Sequence, residues 1–138
     1  MEDNNLKLVI NQRNEYYVDS QGRKQGKYKE FSEKGNILII SNYVDDLLDG
    51  EYIEYHYNMD IIWYKCNYSN GLKEGGCIYY YESKKILEKG NYVNNNRDGY
   101  WKVFKNNEQN ELNMYLYFVK GILCEPPPIQ VKNAGKKI

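Results

Sequence analysis

The chain alternates between short apolar or aromatic runs and short polar segments rich in Asn, Asp, Ser and Gly. Four of the runs follow a glycine, at positions 26, 50, 75 and 99. Each glycine is followed by an apolar or aromatic residue two positions later and by an aromatic residue five positions later. A second mark, the pair Asn-Tyr, begins at positions 42, 67 and 91. Two marks that stay in phase indicate an internal repeat.

Within each repeat, the pattern predicts two strands joined by a polar turn. The predicted strand pairs are Lys27–Phe31 with Ile37–Val44, Glu51–Tyr57 with Ile61–Tyr68, Cys77–Tyr81 with Ile86–Val93, and Tyr100–Lys105 with Leu112–Val119. Tyr, Ile, Val and Trp favour strands, and no helical period runs through residues 25–123. We therefore predict an all-β fold, an elongated and twisted antiparallel meander of hairpins with about 24 residues per repeat.

The repeat glycine is predicted to lie in the connection between hairpins, because a tight turn requires the positive φ that glycine reaches without steric cost. The side chains two and five positions later have opposite parity on a straight strand. Two arrangements stay open. A bulge or sharp twist brings both to the buried side, or they pack on different faces of the sheet.

The length fits one domain with three segments. Residues 1–24 are predicted to form an N-terminal strand and a degenerate half-repeat that caps the array. Residues 25–123 form four hairpin repeats, of which the fourth is irregular. Residues 124–138 form a tail that contains three prolines and three lysines, and the prolines end the strand ladder because they lack an amide hydrogen.

Tyrosine is unusually frequent, at 16 of 138 residues. A tyrosine ring buries apolar surface while its hydroxyl stays near water, so this composition favours a thin layer over a thick core. Neighbouring residues of a strand alternate between faces, so some of the rings must be exposed. Exposed tyrosine on a rigid sheet is typical of protein interfaces.

The charges balance, with 19 basic and 19 acidic residues. This argues against binding through bulk charge, so no direct nucleic-acid partner is expected. Carboxylates concentrate between residues 45 and 60, where they would steer the protein toward a basic surface, although charged turns also serve solubility. The hypothetical partner-binding residues combine these acids with tyrosines: Asp45, Asp46, Asp49, Glu51, Glu54, Tyr55, Tyr57, Tyr79, Tyr81 and Tyr100.

Few residues suit catalysis or metal binding. His56 is the only histidine, which excludes a zinc site built from several histidines, and no phosphate-cradling glycine loop is present. Cys66, Cys77 and Cys124 are widely spaced without a CxxC pattern, which predicts packed thiols. A Cys–His pair of His56 with Cys66 or Cys77 is the less favoured alternative. We expect no enzyme activity, no cofactor and no metal.

The N-terminal residues are polar and acidic, and no run approaches the roughly 20 apolar residues of a membrane-spanning helix. The chain is therefore expected to reside in the cytoplasm.

The repeat resembles the MORN repeat, and more closely the bacterial MORN variant of antitoxin-like proteins. The matching segments are residues 86–92 with 98–101, and residues 68–75. The likeness covers about residues 17–123. The chain departs from the common pattern at Cys77, where an aromatic residue is usual, and in the fourth repeat.

This resemblance implies a non-catalytic module that binds and neutralises another protein. The implied roles are an antitoxin or immunity-type inhibitor, or a phage or mobile-element antagonist of a host defence nuclease. The alternative is a lipid- or membrane-associated scaffold that uses the basic tail. An exposed sheet edge would also allow a homodimer.

Overall fold

The computed structural model describes residues 5–128, and this part of the chain contains strands and turns but no helix. The strands are β1 Lys7–Ile10, β2 Asn14–Val18, β3 Lys24–Phe31, β4 Ile37–Val44, β5 Leu47–Leu48, β6 Gly50–Tyr55, β7 Ile62–Ser69, β8 Leu72–Tyr80, β9 Ile86–Val93, β10 Asn96–Phe104, β11 Leu112–Val119 and β12 Ile122–Cys124. The predicted lysine-containing tail beyond residue 128 lies outside the described residues.

All twelve strands belong to one sheet, in which every pair is antiparallel. Strands lie beside their neighbours in sequence, and the short β5 pairs only with β4. The sheet is therefore an open meander, and the predicted all-β array of hairpins is confirmed. β1 and β12 form its two edges.

The connections between repeats are two-residue turns with positive φ at both positions. They are Asp45-Asp46, Asn70-Gly71, Asn94-Asn95 and Lys120-Gly121. Such turns match the twist of the flanking strands, and Asn, Asp and Gly are the residues that adopt them at least cost. These turns are also hydrogen-bonded to the start of a strand in the preceding repeat. The Asp46 amide donates to Lys24 O at 3.1 Å, and the Asn95 amide donates to Lys73 O at 2.9 Å.

The repeat glycine was predicted to end the connection, and this is wrong for Gly26, Gly75 and Gly99, whereas Gly50 is the first residue of β6. The predicted positive φ is confirmed at all four glycines. Gly75 (φ 89°) and Gly99 (φ 70°) lie inside β8 and β10, several residues after the turns. The pairing of β7 with β8 steps from Cys66↔Cys77 to Tyr68↔Lys73, so β8 carries extra residues around Gly75. The glycine therefore forms a bulge within the strand, not the end of the connection.

The rings two and five positions after the glycine lie on opposite faces. Tyr28 and Phe31 are three residues apart in β3, so strand alternation separates them. A bulge does occur nearby, but its extra residue, Leu38, lies in the partner strand β4. We name the face that carries Tyr28 and Trp101 the ring face and the opposite one the open face.

The core is a layer of side chains on the ring face. Its buried members are Tyr64, Cys66, Cys77, Tyr92 and Trp101, with Tyr52, Tyr68, Tyr79, Leu116 and Phe118 packed against them. Ring centroids lie 5.2 Å apart for Tyr64 and Tyr79, and 5.1 Å apart for Tyr92 and Trp101. The tyrosine rings thus cover one face of the sheet, as a packed layer of helices or of a second sheet does in most domains.

Small residues make room for this layer. Trp101 has no exposed surface, and its indole lies against the backbone of Gly90 where a side chain would otherwise stand. Cys66 and Cys77 face each other across β7 and β8, with Cα atoms 4.3 Å apart, and form a disulfide. The prediction of packed thiols is therefore wrong for this pair. The disulfide explains why Cys77 stands where the other repeats carry a ring.

Candidate binding face

A row of cross-strand partners runs over the open face. In order across the sheet, it consists of Lys29, Ile40, Ile53, Lys65, Ile78, Lys89, Lys102 and Tyr115. Residues that are directly opposite in neighbouring antiparallel strands project from the same face, with Cβ atoms about 5 Å apart. The register thus brings together four lysines that lie far apart in the sequence.

The centre of this row lines a shallow groove of about 530 Å³. The side chains and backbone that line it are those of Glu51, Lys65, Cys66, Asn67, Gly76, Cys77, Ile78, Lys89, Gly90, Tyr100 and Lys102. We call it the lysine groove. Its floor includes Gly76, where a Cβ would meet nothing within 4 Å, so the missing side chain leaves the strand backbone open from this side.

The three lysines of the groove lack a carboxylate partner. Within residues 5–128, no Asp or Glu oxygen lies within 4.0 Å of the ammonium group of Lys65, Lys89 or Lys102. Lys89 lies directly opposite Lys102, an arrangement of like charges that costs stability. The Lys89 ammonium lies 5.8 Å from the Phe104 ring centroid, which is a partial compensation.

Aromatic side chains border the lysines. Tyr100 is 48% exposed, and Tyr115 is 55% exposed. Their centroids are 6.1 Å apart in an edge-to-face contact, and Tyr100 also lies 4.9 Å from Tyr117. These rings are held in place by each other while much of their surface stays in water, which is typical of rings that bind another protein.

The ring face, in contrast, is occupied by its own contacts. The Lys73 ammonium lies 5.0 Å from the Tyr92 centroid, and the Arg97 guanidinium lies 4.2 Å from that of Trp101. Arg97 also forms an ion pair of 2.6 Å with Glu88. Burial raises the pKa of Tyr64 above its usual range. The cations and rings of this face therefore stabilise the sheet.

The predicted acidic residues do not form one surface. Asp45 and Asp46 form the turn that follows β4, where Asp46 accepts a hydrogen bond from the Lys24 amide at 2.7 Å. Glu54 lies on the ring face and accepts from the Tyr52 hydroxyl at 3.0 Å. Two further predicted acids are Asp49, between β5 and β6, and Glu51, which lines the lysine groove.

The predicted tyrosines are equally dispersed. Tyr79 belongs to the ring face, and its hydroxyl lies 3.0 Å from that of Tyr92. Tyr81 donates its hydroxyl hydrogen to Phe104 O at 2.8 Å. The remaining three are Tyr55, which ends β6, Tyr57, which is 67% exposed after that strand, and Tyr100. Only Glu51 and Tyr100, of the ten predicted partner-binding residues, line the lysine groove.

The groove lysines were not among the predicted binding residues, although the repeat carries a signal for them. Lys65 and Lys89 precede the Tyr of their repeats' Asn-Tyr pairs by three residues. Lys29 and Lys102 each follow their repeat glycine by three residues. Equivalent positions in a repeat project from the same face, so aligning the repeats would have placed these charges together.

The alternative of a Cys–His pair is wrong. Cys66 and Cys77 are bonded to each other, and His56 Nε2 lies 3.1 Å from Tyr80 O. In the part of the chain that the structure describes, no three His, Cys, Asp or Glu side chains converge in a way that could hold a metal ion. Residues 5–128 also contain no helix of membrane-crossing length and hydropathy.

Comparisons with known proteins add little. No protein-family model matches the chain, and no curated protein matches it. Six solved chains do. One of them belongs to the Glycosylation Associate Protein (Gap123) complex from Streptococcus agalactiae, with a TM-score of 0.48 and 12% identity. The match covers 81% of this chain and 21% of that one, so this chain spans about a fifth of its length. A likeness of this strength supports no functional statement.

Proposed function

We propose that this protein is a non-catalytic module that binds another protein through its open face. The observation that carries the proposal is the difference between the two faces of a single sheet. One face is sealed by its own rings and cations, whereas the other exposes Tyr100 and Tyr115 beside a groove. Exposed aromatic side chains on a rigid sheet form favourable contacts with a partner, because little conformational freedom is lost on binding.

The finer proposal is that binding neutralises the partner. The resemblance to antitoxin-like MORN variants supports it. The Cys66–Cys77 disulfide supports it too, because it holds β7 and β8 together and would present the groove without rearrangement. The partner would be a toxin, a nuclease or a similar effector. The inhibitory role has its own test, which is loss of the partner's activity when the purified chain is added in equimolar amount.

A cytoplasmic location stays a prediction, and the Cys66–Cys77 disulfide works against it. Disulfides persist mainly in oxidising compartments and are rare where glutathione keeps thiols reduced. Trapping free thiols with a maleimide in freshly lysed cells tests this point. A bonded pair in the native cell would place the protein outside the reducing cytoplasm.

Two exposed tyrosines that were both predicted to bind a partner allow a matched test of the open face. Tyr100 lines the groove, whereas Tyr57 lies in the turn after β6, at the ends of the strands. Partner proteins captured from the native source by the wild-type chain should be lost with Tyr100→Ala and kept with Tyr57→Ala. Equal capture by all three chains would refute binding through the open face.

The alternative is a lipid-associated scaffold, which the unpaired groove lysines favour. Lys65, Lys89 and Lys102 would attract anionic headgroups, each by roughly 1 kcal/mol near a charged surface. This role predicts co-sedimentation with vesicles that contain phosphatidylserine. We favour a protein partner because the lysines surround a groove and not a flat apolar surface.

A further inference from the structure

We infer that the lysine groove binds an acidic segment of the partner protein. This inference rests on the proposed function and deepens it, since it names the chemistry of the partner. The carrying observation is the charge of the groove. Three lysines converge on it, and Glu51 is the one acidic residue among those that line it.

The groove places positive charges beside one another without a carboxylate partner among residues 5–128. Lys89 and Lys102 repel each other as direct cross-strand neighbours, and neither forms an ion pair within the described residues. Lys73 and Arg97 on the ring face lie closer to rings, at 5.0 and 4.2 Å from a centroid, than Lys89 does at 5.8 Å, and Arg97 also has the carboxylate of Glu88 as a partner. A carboxylate of a partner would relieve the repulsion that the fold leaves in place.

The spacing fits a short extended peptide. Lys65 and Lys89 are separated by the strand that carries Ile78, which places their Cβ atoms about 10 Å apart. Lys102 continues the row by about 5 Å. An extended chain advances about 3.4 Å per residue and places every second side chain on the same side, so carboxylates four residues apart face the groove together and span about 14 Å, close to the distance from Lys65 to Lys102. Ile78, which lies between the two lysines, would contact the aliphatic part of the peptide's side chains.

The peptide class is favoured over nucleic acid. A polynucleotide is held by many phosphate contacts along a continuous basic path, whereas the groove offers three lysines and one carboxylate. The chain as a whole has no net charge. An acidic segment needs only two or three charge pairs together with apolar contact, which is what the groove provides.

The test uses a fluorescein-labelled hexaglutamate peptide and the full chain, with binding followed by fluorescence anisotropy at low salt. The groove variant is K65E/K89E/K102E. The matched control is K34E/K84E/K120E, which changes the net charge equally at exposed turn lysines. We expect the groove variant to lose at least about tenfold in affinity, since exposed charge pairs contribute up to about 1 kcal/mol each. The control variant should stay within about threefold of the wild type.

Three results would overturn the inference. The peptide does not bind the wild-type chain, the groove variant binds as well as wild type, or both variants weaken equally, which would indicate net charge alone. Circular dichroism and thermal unfolding show whether each variant is folded. Should the groove variant fail to fold, the neutral variant K65Q/K102Q takes its place against the control K34Q/K120Q, with a smaller predicted loss of about threefold or more, because two charges are removed and none is reversed.

Two further probes separate the classes of ligand. Phosphatidylserine vesicles and a single-stranded oligothymidylate are tested against the same variants. Tighter, groove-dependent binding of either probe would replace the acidic segment as the occupant. Failure of the peptide to bind leaves the proposed function standing, because that function is decided separately by partner capture with Tyr100→Ala.

Discussion

Replacing Gly90 by alanine should destabilise the fold more than any other single methyl addition in the ring layer. Gly90 has no positive φ, so alanine meets no backbone strain there. Its Cβ would instead overlap the ring atoms Cγ, Cδ2 and Cε2 of Trp101. Trp101 has no exposed surface and donates its indole hydrogen to Asn91 O at 3.2 Å, so the ring cannot move without losing contacts.

The expected cost lies between two limits. Overpacking of a core typically costs about 1–3 kcal/mol. Complete expulsion of the ring would approach the roughly 3–5 kcal/mol of a Trp→Ala change. We expect about 2–4 kcal/mol, which is a large share of the roughly 5–15 kcal/mol that stabilises an ordinary domain.

The assay is urea denaturation followed by tryptophan fluorescence in a Trp63→Phe background. The chain has two tryptophans, so replacing Trp63, which is 43% exposed, leaves Trp101 as the reporter. The native emission of Trp101 should be blue-shifted, because the indole is buried, and should move to the red in Gly90→Ala. The midpoint should fall in proportion to the cost.

Gly76→Ala is the matched control. Gly76, in the neighbouring strand β8, likewise has no positive φ, but its Cβ would meet nothing within 4 Å. We expect a change within about 0.5 kcal/mol. In a Trp101→Ala background, where unfolding is followed by circular dichroism because the tryptophan reporter is gone, the cost of Gly90→Ala should nearly vanish. A full cost in that background, or equal costs at the two glycines, would refute the packing of the indole on Gly90.

Three further predictions concern stability. Replacing Cys66 and Cys77 together by serine should lower the free energy of unfolding by about 2–3 kcal/mol, given their separation of 11 residues, and reductant should have no effect on that variant. The side-chain hydrogen bond from Gln25 lowers the pKa of Asp19 to about 2. The ionised Asp19 carboxylate therefore stabilises the fold above about pH 4, and this stabilisation is lost as the pH falls toward 2. In acid denaturation, Asp19→Asn should lack this pH-dependent loss. Burial raises the pKa of Tyr64, so stability should be complete below about pH 10 and fall at higher pH, with less fall in Tyr64→Phe.

The hairpin array could be predicted because its signal is local and repeated. Glycine spacing, strand-forming residues and polar turns recur in every repeat, and each needs only a few neighbouring residues to be recognised. The positive φ of the repeat glycines followed from the same pattern. The placement of Gly75 and Gly99 in the connections was wrong, because Asn70-Gly71 and Asn94-Asn95 already make complete two-residue turns. The glycine a few residues later was then free to form a bulge.

The disulfide and the lysine groove depend on register, which single-strand patterns do not specify. A slip of one residue moves every side chain of a strand to the opposite face. Cys66 meets Cys77 only because the bulge around Gly75 sets the pairing of β7 with β8. The same register places Lys65 and Lys89 on either side of Ile78. The acidic cluster shows the opposite error. Its carboxylates are close in sequence, but they lie on different faces of the sheet and in a turn at the ends of the strands.

The two faces of the sheet are compared most directly by hydroxyl-radical footprinting, with the oxidised side chains identified by mass spectrometry. Tyr28, Tyr64 and Tyr92 are each no more than 9% exposed, whereas Tyr100 and Tyr115 are about half exposed. We predict strong labelling of the last two and protection of the first three, with Tyr100 becoming protected when a partner binds. Equal labelling of all five rings, or partner protection confined to the ring face, would contradict the account.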